Sequence, residues 1–202
     1  MVNGLVTELL LIRHAPSQPP GHLYGRTDVA ADVPQGADIG AMRQAVGRVA
    51  RWVSSPALRC RQTLTAMRSD DAPTTDDSRL WEQDFGAWDG LAYADVPDIG
   101  QLPPDALAVH RPPRGESFAD VVERVGPALL EIAAQNDGAR VAVVAHAGVV
   151  RAAIALALAA STRDAPAVAL SFDVQPLSLT VLQFQAADAI TIACANWRPL
   201  CR

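Results

Sequence analysis

Apolar runs and helical periodicities alternate along the first three-quarters of the chain. Continuous apolar runs predict buried strands at residues 8–13 and 140–145, and a shorter run predicts one at 52–54. Apolar positions at helical spacing predict four helices, at residues 38–50, 55–67, 117–135 and 148–160. Strands that alternate with helices are typical of an α/β fold with a mostly parallel central sheet.

The C-terminal part of the chain and the stretch before residue 117 have a different pattern. Three short runs with turn signals between them predict further strands at residues 167–172, 177–184 and 189–195, which fit an antiparallel edge on the sheet. Residues from about 70 to 116 are rich in Pro, Asp and Gly, and predict an irregular excursion that carries functional residues. No repeat or linker interrupts the chain. We therefore expect one three-layer α/β/α domain over residues 1–202.

Composition and charge restrict the classes of function. Half of the 202 residues are hydrophobic and 19% are charged, which is an ordinary globular balance. The net charge of −5 argues against a nucleic-acid partner, because binding a phosphate backbone requires a basic face. All 17 basic residues are arginine, which excludes a Schiff-base lysine and a P-loop lysine. Arginine is also well suited to bind phosphate through two parallel hydrogen bonds.

The cysteines and the hydropathy of the sequence indicate the cellular compartment of the protein. Cys60, Cys194 and Cys201 form no CxxC pair, so neither a disulfide framework nor a zinc site is implied. The first residues lack the basic and apolar regions of a signal peptide. The longest apolar stretch, residues 152–160, is far shorter than the roughly 20 residues that a membrane span needs. We expect a cytoplasmic protein with no membrane partner; the sequence does not specify an oligomeric state.

Two histidines follow the two predicted strands that are continuously apolar. Arg13-His14 comes at the end of the first strand, and His146-Ala147-Gly148 follows the strand at 140–145. In an α/β sheet, ligands bind at the carboxyl ends of the strands. A histidine beside a guanidinium indicates phosphate chemistry with His14 as the attacking group.

Two further segments carry charged residues that can reach the same place. Residues 54–63, SSPALRCRQT, put Arg59 in the first turn of a helix, where the N-terminus already attracts anions. Residues 80–90, LWEQDFGAWDG, set three carboxylates among aromatic side chains: Glu82, Asp84 and Asp89.

Together the motifs RH, SSPALRCRQT, WEQDFGAWDG and AHAG resemble those of the histidine phosphatase superfamily, whose best-known members are phosphoglycerate mutases. The resemblance spans nearly the whole chain and implies a phosphoglycerate mutase-like fold. It implies that His14 is the nucleophile that becomes phosphorylated and that Arg13 and Arg59 hold the phosphate. It also implies that His146 contacts the transferring group and that Glu82 donates and accepts the proton.

Physical chemistry agrees with these implied roles. The transferring phosphoryl group carries charge on its equatorial oxygens, and Arg13, Arg59, His146 and the N–H of Ala147 could stabilise it. Nearby arginines disfavour a protonated His14, which keeps its lone pair available. We expect no metal and no cofactor, because arginines replace a metal and no metal-ligand spacing occurs.

The sequence leaves some assignments open. The pattern Leu-x-Glu-x-x-x-Gly favours Glu82 over Asp84 as the proton donor, although a carboxylate near a turn is more often a cap. The resemblance also places three residues in the lining of the substrate pocket, where an ordinary surface-loop role is equally compatible: Ser17, Tyr24 and Arg26. Ala15-Pro16 replaces the glycine that usually follows the nucleophile, so the loop there differs slightly from that of the family.

The stretch after the acidic segment bears on the reaction type. Mutases carry a long basic insertion there, whereas only about 25 residues separate Gly90 from Glu116 here, with no lysine. This argues for a phosphatase, and DFGAWDG is similar to the acidic loop of α-ribazole phosphatases and broad-specificity phosphatases. We predict a metal-independent phosphomonoesterase acting on a small phosphorylated metabolite, such as α-ribazole 5'-phosphate or a sugar phosphate. The alternatives are a phosphoglycerate mutase and a non-catalytic protein that binds a phosphorylated ligand.

Overall fold

The computed structural model describes residues 5–159, 161–162, 164–186 and 189–199. A six-stranded sheet forms the centre of the fold. The strands are β1 (Thr7–Arg13), β2 (Arg51–Ser54), β3 (Thr74–Asp76), β4 (Arg140–Ala145), β5 (Leu179–Ala186) and β6 (Ala189–Trp197). Their order across the sheet is β3-β2-β4-β1-β5-β6. The first four are parallel, whereas β5 and β6 are antiparallel to their neighbours. The predicted mostly parallel sheet with an antiparallel edge is confirmed.

Helices cover both faces of this sheet. They are α1 (Ala37–Val46), α2 (Leu58–Met67), α3 (Pro104–Val109), α4 (Phe118–Ala134), α5 (Ala147–Leu158) and α6 (Ala165–Leu170). Alternate residues of β1 point to opposite faces, so Leu9 packs in a core with α4 and α5, whereas Leu10 packs with α1 and α2. Because both faces are covered, β1 and β4 are continuously apolar, as their sequences predicted.

The ends of the predicted helices follow local capping chemistry. Ser117 and Asp120 form a capping box at the start of α4, which confirms that predicted start. α2 begins at Leu58, two residues beyond Pro56, and the Leu58 N–H donates to Asp28 Oδ1 at 2.7 Å. α1 ends at Val46 instead of residue 50 because Gly47 adopts a φ of 63°.

The predicted strand at residues 167–172 is wrong, because residues 167–170 belong to helix α6 and the helix ends there. Pro166 lies in its first turn, and alanine, the best helix former, occupies three of its six positions. Ala165 and Ala169 are buried in the core that contains α4 and α5, so tertiary packing favours the helix.

The stretch at about 70–116 is more ordered than predicted. It contributes the parallel edge strand β3 and helix α3, joined by three single-turn 3₁₀ segments at Ser78–Leu80, Gly86–Trp88 and Tyr93–Asp95. Three features of the sequence analysis lie outside the described residues: the predicted helix end at residue 160, the turn signal at 187–188 between the last two predicted strands, and Cys201. Within the described residues, no helix has the length and apolarity to cross a membrane.

Candidate active site

The two strand-end histidines lie side by side because β1 and β4 are parallel neighbours in register. Arg13 pairs with Ala145, and the backbone N–H of His14 donates to the Ala145 carbonyl at 2.9 Å. His14 and His146 therefore leave the sheet at the same level, and their ring centroids are 5.2 Å apart. Both side chains are buried, with 5% and 0% of their surface exposed.

Hydrogen bonding fixes the tautomer of His14. Its Nδ1 lies 2.6 Å from the carbonyl oxygen of Ala15, and a carbonyl can only accept, so Nδ1 carries the proton. Burial, and next the Arg59 guanidinium, lower the pKa of His14 to about 3. Nε2 therefore has a free lone pair at neutral pH. Burial, Arg59 and then His14 likewise hold the pKa of His146 well below its usual value.

These lowered pKa values predict that acid destabilises the fold. Between the usual histidine pKa near 6.5 and about 3, the unfolded chain binds a proton that the buried His14 does not, and the lowered pKa of His146 acts in the same direction. The free energy of unfolding should fall with decreasing pH in this window, by up to about 1.4 kcal/mol per pH unit for each histidine. Urea denaturation at pH 7 and pH 5 measures the slope. The variant His14→Gln should show a smaller slope, and an unchanged slope would contradict the prediction.

Two arginines, the fully buried Arg59 and the partly buried Arg13, lie near the histidines and retain unpaired donors. Arg59 is fully buried; its Nη2 donates to the Gly25 carbonyl at 2.8 Å and its Nη1 to the Thr27 carbonyl at 3.1 Å. Arg13 donates through Nη1 to the Val174 carbonyl. The Nε–H of each arginine is buried and has no hydrogen-bond partner among the described residues. Unpaired buried donors are costly, and an anion between the two guanidinium groups would satisfy them.

Glu82 is held at the amino end of α5. Its Oε1 accepts from the N–H of Gly148 at 3.1 Å and from its neighbour Gln83 at 3.0 Å, and the side chain is only 8% exposed. These bonds fix the Glu82 side chain beside the start of the helix that follows His146.

The other two carboxylates of the acidic segment, Asp84 and Asp89, accept hydrogen bonds from backbone N–H groups. Asp84 Oδ1 accepts from the N–H of Gly86 at 2.8 Å. Asp89 accepts from three consecutive N–H groups, those of residues 25–27, at 2.7–3.0 Å, and thereby fixes the loop whose carbonyls hold Arg59. Of the three carboxylates, Glu82 alone lines the cavity beside His14.

Most of the residues singled out in the sequence surround one open cavity of about 420 Å³. Those that line it are Arg13, His14, Ser17, Tyr24, Glu82 and Ala147. Arg59 and His146 are fully buried and do not belong to its lining. Arg26 also lies outside the lining: it pairs with Glu116 at 3.6 Å and covers the ring of Trp81, with its Cζ 5.7 Å from the ring centroid.

The loop after the nucleophile accommodates alanine. Ala15 is fully buried and keeps a negative φ, so the chain needs no glycine there. Its N–H donates to Thr63 Oγ1 at 2.9 Å, and Thr63 in turn donates to the Arg59 carbonyl at 2.7 Å. This N–H is therefore occupied, and Thr63 ties the His14 loop to the helix that carries Arg59.

Sequence reasoning missed two charged residues of the cavity, Arg151 and Asp173. Arg151 follows Gly148 by three residues on α5, so the helical repeat after the AHAG motif could have indicated it. Asp173 directly follows residues 167–172, which were wrongly predicted to form a strand. No local sequence pattern indicates that Asp173 faces the cavity. Among the described residues, no group of three or more His, Cys, Asp or Glu side chains could hold a metal ion.

Comparison with known sequences covers almost the whole chain. A profile of the histidine phosphatase superfamily, branch 1, matches residues 9–197. The bifunctional protein Rv2228c of Mycobacterium tuberculosis is 31% identical over an alignment of 203 positions, which covers 96% of this chain and 54% of that protein. The chain thus spans about half the length of the curated relatives it matches.

Solved structures agree in fold. The mycobacterial glucosyl-3-phosphoglycerate phosphatase Rv2419c has a TM-score of 0.79 and 22% identity, with 95% of this chain and 99% of that chain covered. The phosphoserine phosphatase of Entamoeba histolytica in complex with 3-phosphoglyceric acid has a TM-score of 0.77 and 21% identity, with 95% and 97% covered. At this identity the likeness establishes the fold, which confirms the predicted phosphoglycerate mutase-like architecture. With the profile match over residues 9–197, the chain belongs to the histidine phosphatase superfamily, branch 1.

Proposed function

We propose that this chain is a phosphomonoesterase that transfers a phosphoryl group first to Nε2 of His14 and then to water. The observation that carries the proposal is His14, whose Nδ1 proton is held by the Ala15 carbonyl and whose Nε2 is free, close to the charges of Arg59 and Arg13. Each of these arginines has a buried Nε–H without a hydrogen-bond partner among the described residues. A neutral imidazole is the nucleophilic form of histidine, and paired guanidinium groups stabilise the charge of the transferring group.

In the first step the lone pair of His14 Nε2 forms a bond to phosphorus while the bond to the leaving oxygen breaks. The Nδ1–H remains bonded to the Ala15 carbonyl, which stabilises the positive charge that develops on the ring. Arg13, Arg59, His146 and the N–H of Ala147 are the proposed donors to the phosphoryl oxygens. The protonated carboxyl of Glu82 gives its proton to the leaving oxygen.

In the second step water releases the phosphate. The Glu82 carboxylate accepts a proton from water, the oxygen attacks phosphorus, and the bond between phosphorus and Nε2 breaks. Glu82 is the proposed proton carrier because it lines the cavity beside His14, whereas Asp84 and Asp89 do not. The reaction needs no cofactor and, in our proposal, no metal.

The charges of the cavity favour a phosphatase over a mutase. A mutase must retain a bisphosphorylated intermediate, which needs several cations beyond the first phosphate site. Arg111 of the stretch after the acidic segment instead pairs with Asp120 at 2.6 Å, and neither it nor Arg114 lines the cavity. Arg151 is the one further cation in the cavity lining of the described residues.

A panel of phosphoesters tests the proposed function. Phosphate release should be measured from an aryl phosphate, α-ribazole 5'-phosphate, sugar phosphates and phosphoglycerates, each with and without a chelator. We expect release of phosphate that the chelator does not change. Faster interconversion of phosphoglycerates than phosphate release would favour the mutase, and tight phosphate binding without turnover would favour a non-catalytic binding protein.

Gly148→Ala should displace the proposed proton donor. A Cβ at this position would lie 2.2 Å from Glu82 Oε1, so the carboxylate must move. Because small displacements of a catalytic group can cost about 10²-fold, we expect kcat on alkyl phosphates to fall by about 10- to 100-fold with little change in KM. Steady-state kinetics and thermal melting measure the two effects, and the melting temperature should change little because the displaced atoms end a flexible side chain.

Gly126→Ala is the matched control for this substitution. Gly126 lies inside helix α4, where a Cβ would meet Leu156 at an ordinary 3.8 Å. This variant should keep its kcat. An unchanged kcat in Gly148→Ala would contradict the proposed role of Glu82.

A further inference from the structure

Two charged side chains of the cavity have no part in the proposed reaction. Arg13 and Glu82 are assigned to the phosphate and to proton transfer, which leaves Arg151 and Asp173 as the other charged residues of the lining. One is a cation and the other an anion, so they offer opposite charges to whatever occupies the cavity beyond the phosphate.

Helix geometry puts Arg151 on the side of the leaving group. Gly148 and Arg151 are three residues apart on α5 and therefore share a face, with Arg151 about 4.5 Å farther along the helix axis. The N–H of Gly148 holds Glu82, the group that would protonate the leaving oxygen. Arg151 thus lies one turn beyond the point where the phosphoester bond would break.

The guanidinium of Arg151 is fixed but not neutralised. Its Nε donates to the Phe172 carbonyl at 2.9 Å, which ties it to the residue directly before Asp173. Within the described part of the chain, its terminal nitrogens have no hydrogen-bond partner, and no carboxylate lies within ion-pair distance of it. An arginine that is oriented and still has free donors is suited to bind a carboxylate through two parallel hydrogen bonds.

Asp173 supplies the complementary charge next to this site. It is exposed, forms no ion pair with an arginine among the described residues, and accepts a hydrogen bond only from Gln175 of its own loop. The next residue, Val174, accepts from Arg13, so the loop is anchored to the proposed phosphate site. A carboxylate can only accept hydrogen bonds, so a ligand group that binds Asp173 must be a donor such as a hydroxyl or an ammonium group.

We propose that Arg151 and Asp173 form a subsite for a leaving group that carries a carboxylate next to a hydroxyl or ammonium group. The substrate class is then the phosphomonoester of a small hydroxy acid or hydroxy amino acid. This inference rests on the proposed phosphatase function. Two other kinds of leaving group fit the subsite less well. A neutral alcohol would leave the charge of Arg151 unpaired. A second phosphate dianion would have only Arg151 to bind it and would be repelled by the negative Asp173.

Pairs of substrates in which one member has a carboxylate and the other a hydroxymethyl group or a hydrogen in its place test the subsite in the unmodified protein. The first pair is 3-phosphoglycerate and glycerol 3-phosphate, and the second is O-phosphoserine and phosphoethanolamine. We expect kcat/KM for phosphate release to be about 10- to 100-fold higher for the acid in at least one pair, as for a bond to a charged group. Which pair shows the larger ratio distinguishes hydroxyl from ammonium recognition. Equal values within both pairs would overturn the proposal.

Variants of Arg151 and Asp173 test whether these residues cause the preference for the substrate that carries a carboxylate. Arg151→Gln should lose the preference for the acid, while its kcat/KM on an aryl phosphate should stay within about threefold of the unmodified value. Arg151→Lys keeps a cation and should retain part of the preference. Asp173→Asn should weaken binding of the acid preferred by the unmodified protein, because that acid carries the hydroxyl or ammonium group that Asp173 would bind. Arg61→Gln removes a surface arginine paired with Asp76 at 2.6 Å and is the matched control.

The outcomes separate this proposal from the proposed function. An equal loss on the aryl phosphate and on the acid in Arg151→Gln would assign Arg151 a structural role through Phe172 and overturn the subsite. If that variant does not fold, the ratio within each substrate pair in the unmodified protein decides. Activity on the aryl phosphate without any acid preference refutes the subsite alone, whereas no activity on any phosphoester refutes the phosphatase.

Discussion

Replacing His14 with alanine should abolish phosphate release, lowering kcat by about four orders of magnitude or more, as expected when a covalent nucleophile is removed. The remaining donors, Arg13, Arg59 and His146, can still bind a phosphate but cannot form the bond to phosphorus. Steady-state phosphate release from an aryl phosphate measures the effect. Phosphate binding, followed by calorimetry, should persist.

Two controls make this result interpretable. The variant should keep its circular dichroism spectrum, because His14 packs at the end of a strand that is held on both sides by β4 and β5. His110→Ala removes a histidine that stacks on Trp88 outside the cavity lining, with ring centroids 5.7 Å apart, and should keep its activity. Full activity in a folded His14→Ala variant would contradict the mechanism.

Replacing Glu82 with glutamine should lower activity in a way that depends on the leaving group. Glutamine keeps an oxygen that can accept from the N–H groups of Gly148 and Gln83, but it cannot donate a carboxyl proton. For alkyl phosphates, whose leaving oxygen must be protonated, we expect kcat to fall by about 10²- to 10⁴-fold. For a nitrophenyl phosphate, whose leaving group departs without a proton, the loss in the first step should be much smaller.

The matched control for this variant is Asp84→Asn. Asp84 bonds to the N–H of Gly86 and does not line the cavity, so its loss should reduce stability more than kcat. Kinetics on a series of leaving groups compares the two variants. A larger, leaving-group-dependent loss in Asp84→Asn than in Glu82→Gln would assign the proton to Asp84 and contradict our proposal.

The centre of the fold and of the site could be predicted because both depend on short, strongly patterned segments. The apolar runs of β1 and β4 indicate strands buried on both faces, and parallel strands end at one edge of a sheet. A histidine directly after each run therefore implies that His14 and His146 meet. Their 5.2 Å separation follows from the register of the two strands.

Other features depend on contacts that the local sequence does not contain. Residues 167–172 carry an alanine-rich apolar pattern too short to distinguish strand from helix, and packing on the core decides for α6. The carboxylates Glu82, Asp84 and Asp89 lie within eight residues of one another, so the local sequence hardly distinguishes their roles. Their roles differ because Glu82 accepts from Gly148, whereas Asp89 accepts from residues 25–27, and both partners are distant in the sequence. Arg151 resembles any helical arginine until its place in the cavity is known.

The central claim is that His14 carries the phosphoryl group, and trapping the phosphoenzyme tests it most directly. The protein is mixed with an aryl phosphate, quenched in base within milliseconds, and its mass and proteolytic peptides are measured. We predict a protein that has gained one phosphoryl group, which is stable in base, labile in acid and located on His14. Turnover without any phosphorylated protein, or with the phosphoryl group on another residue, would contradict it.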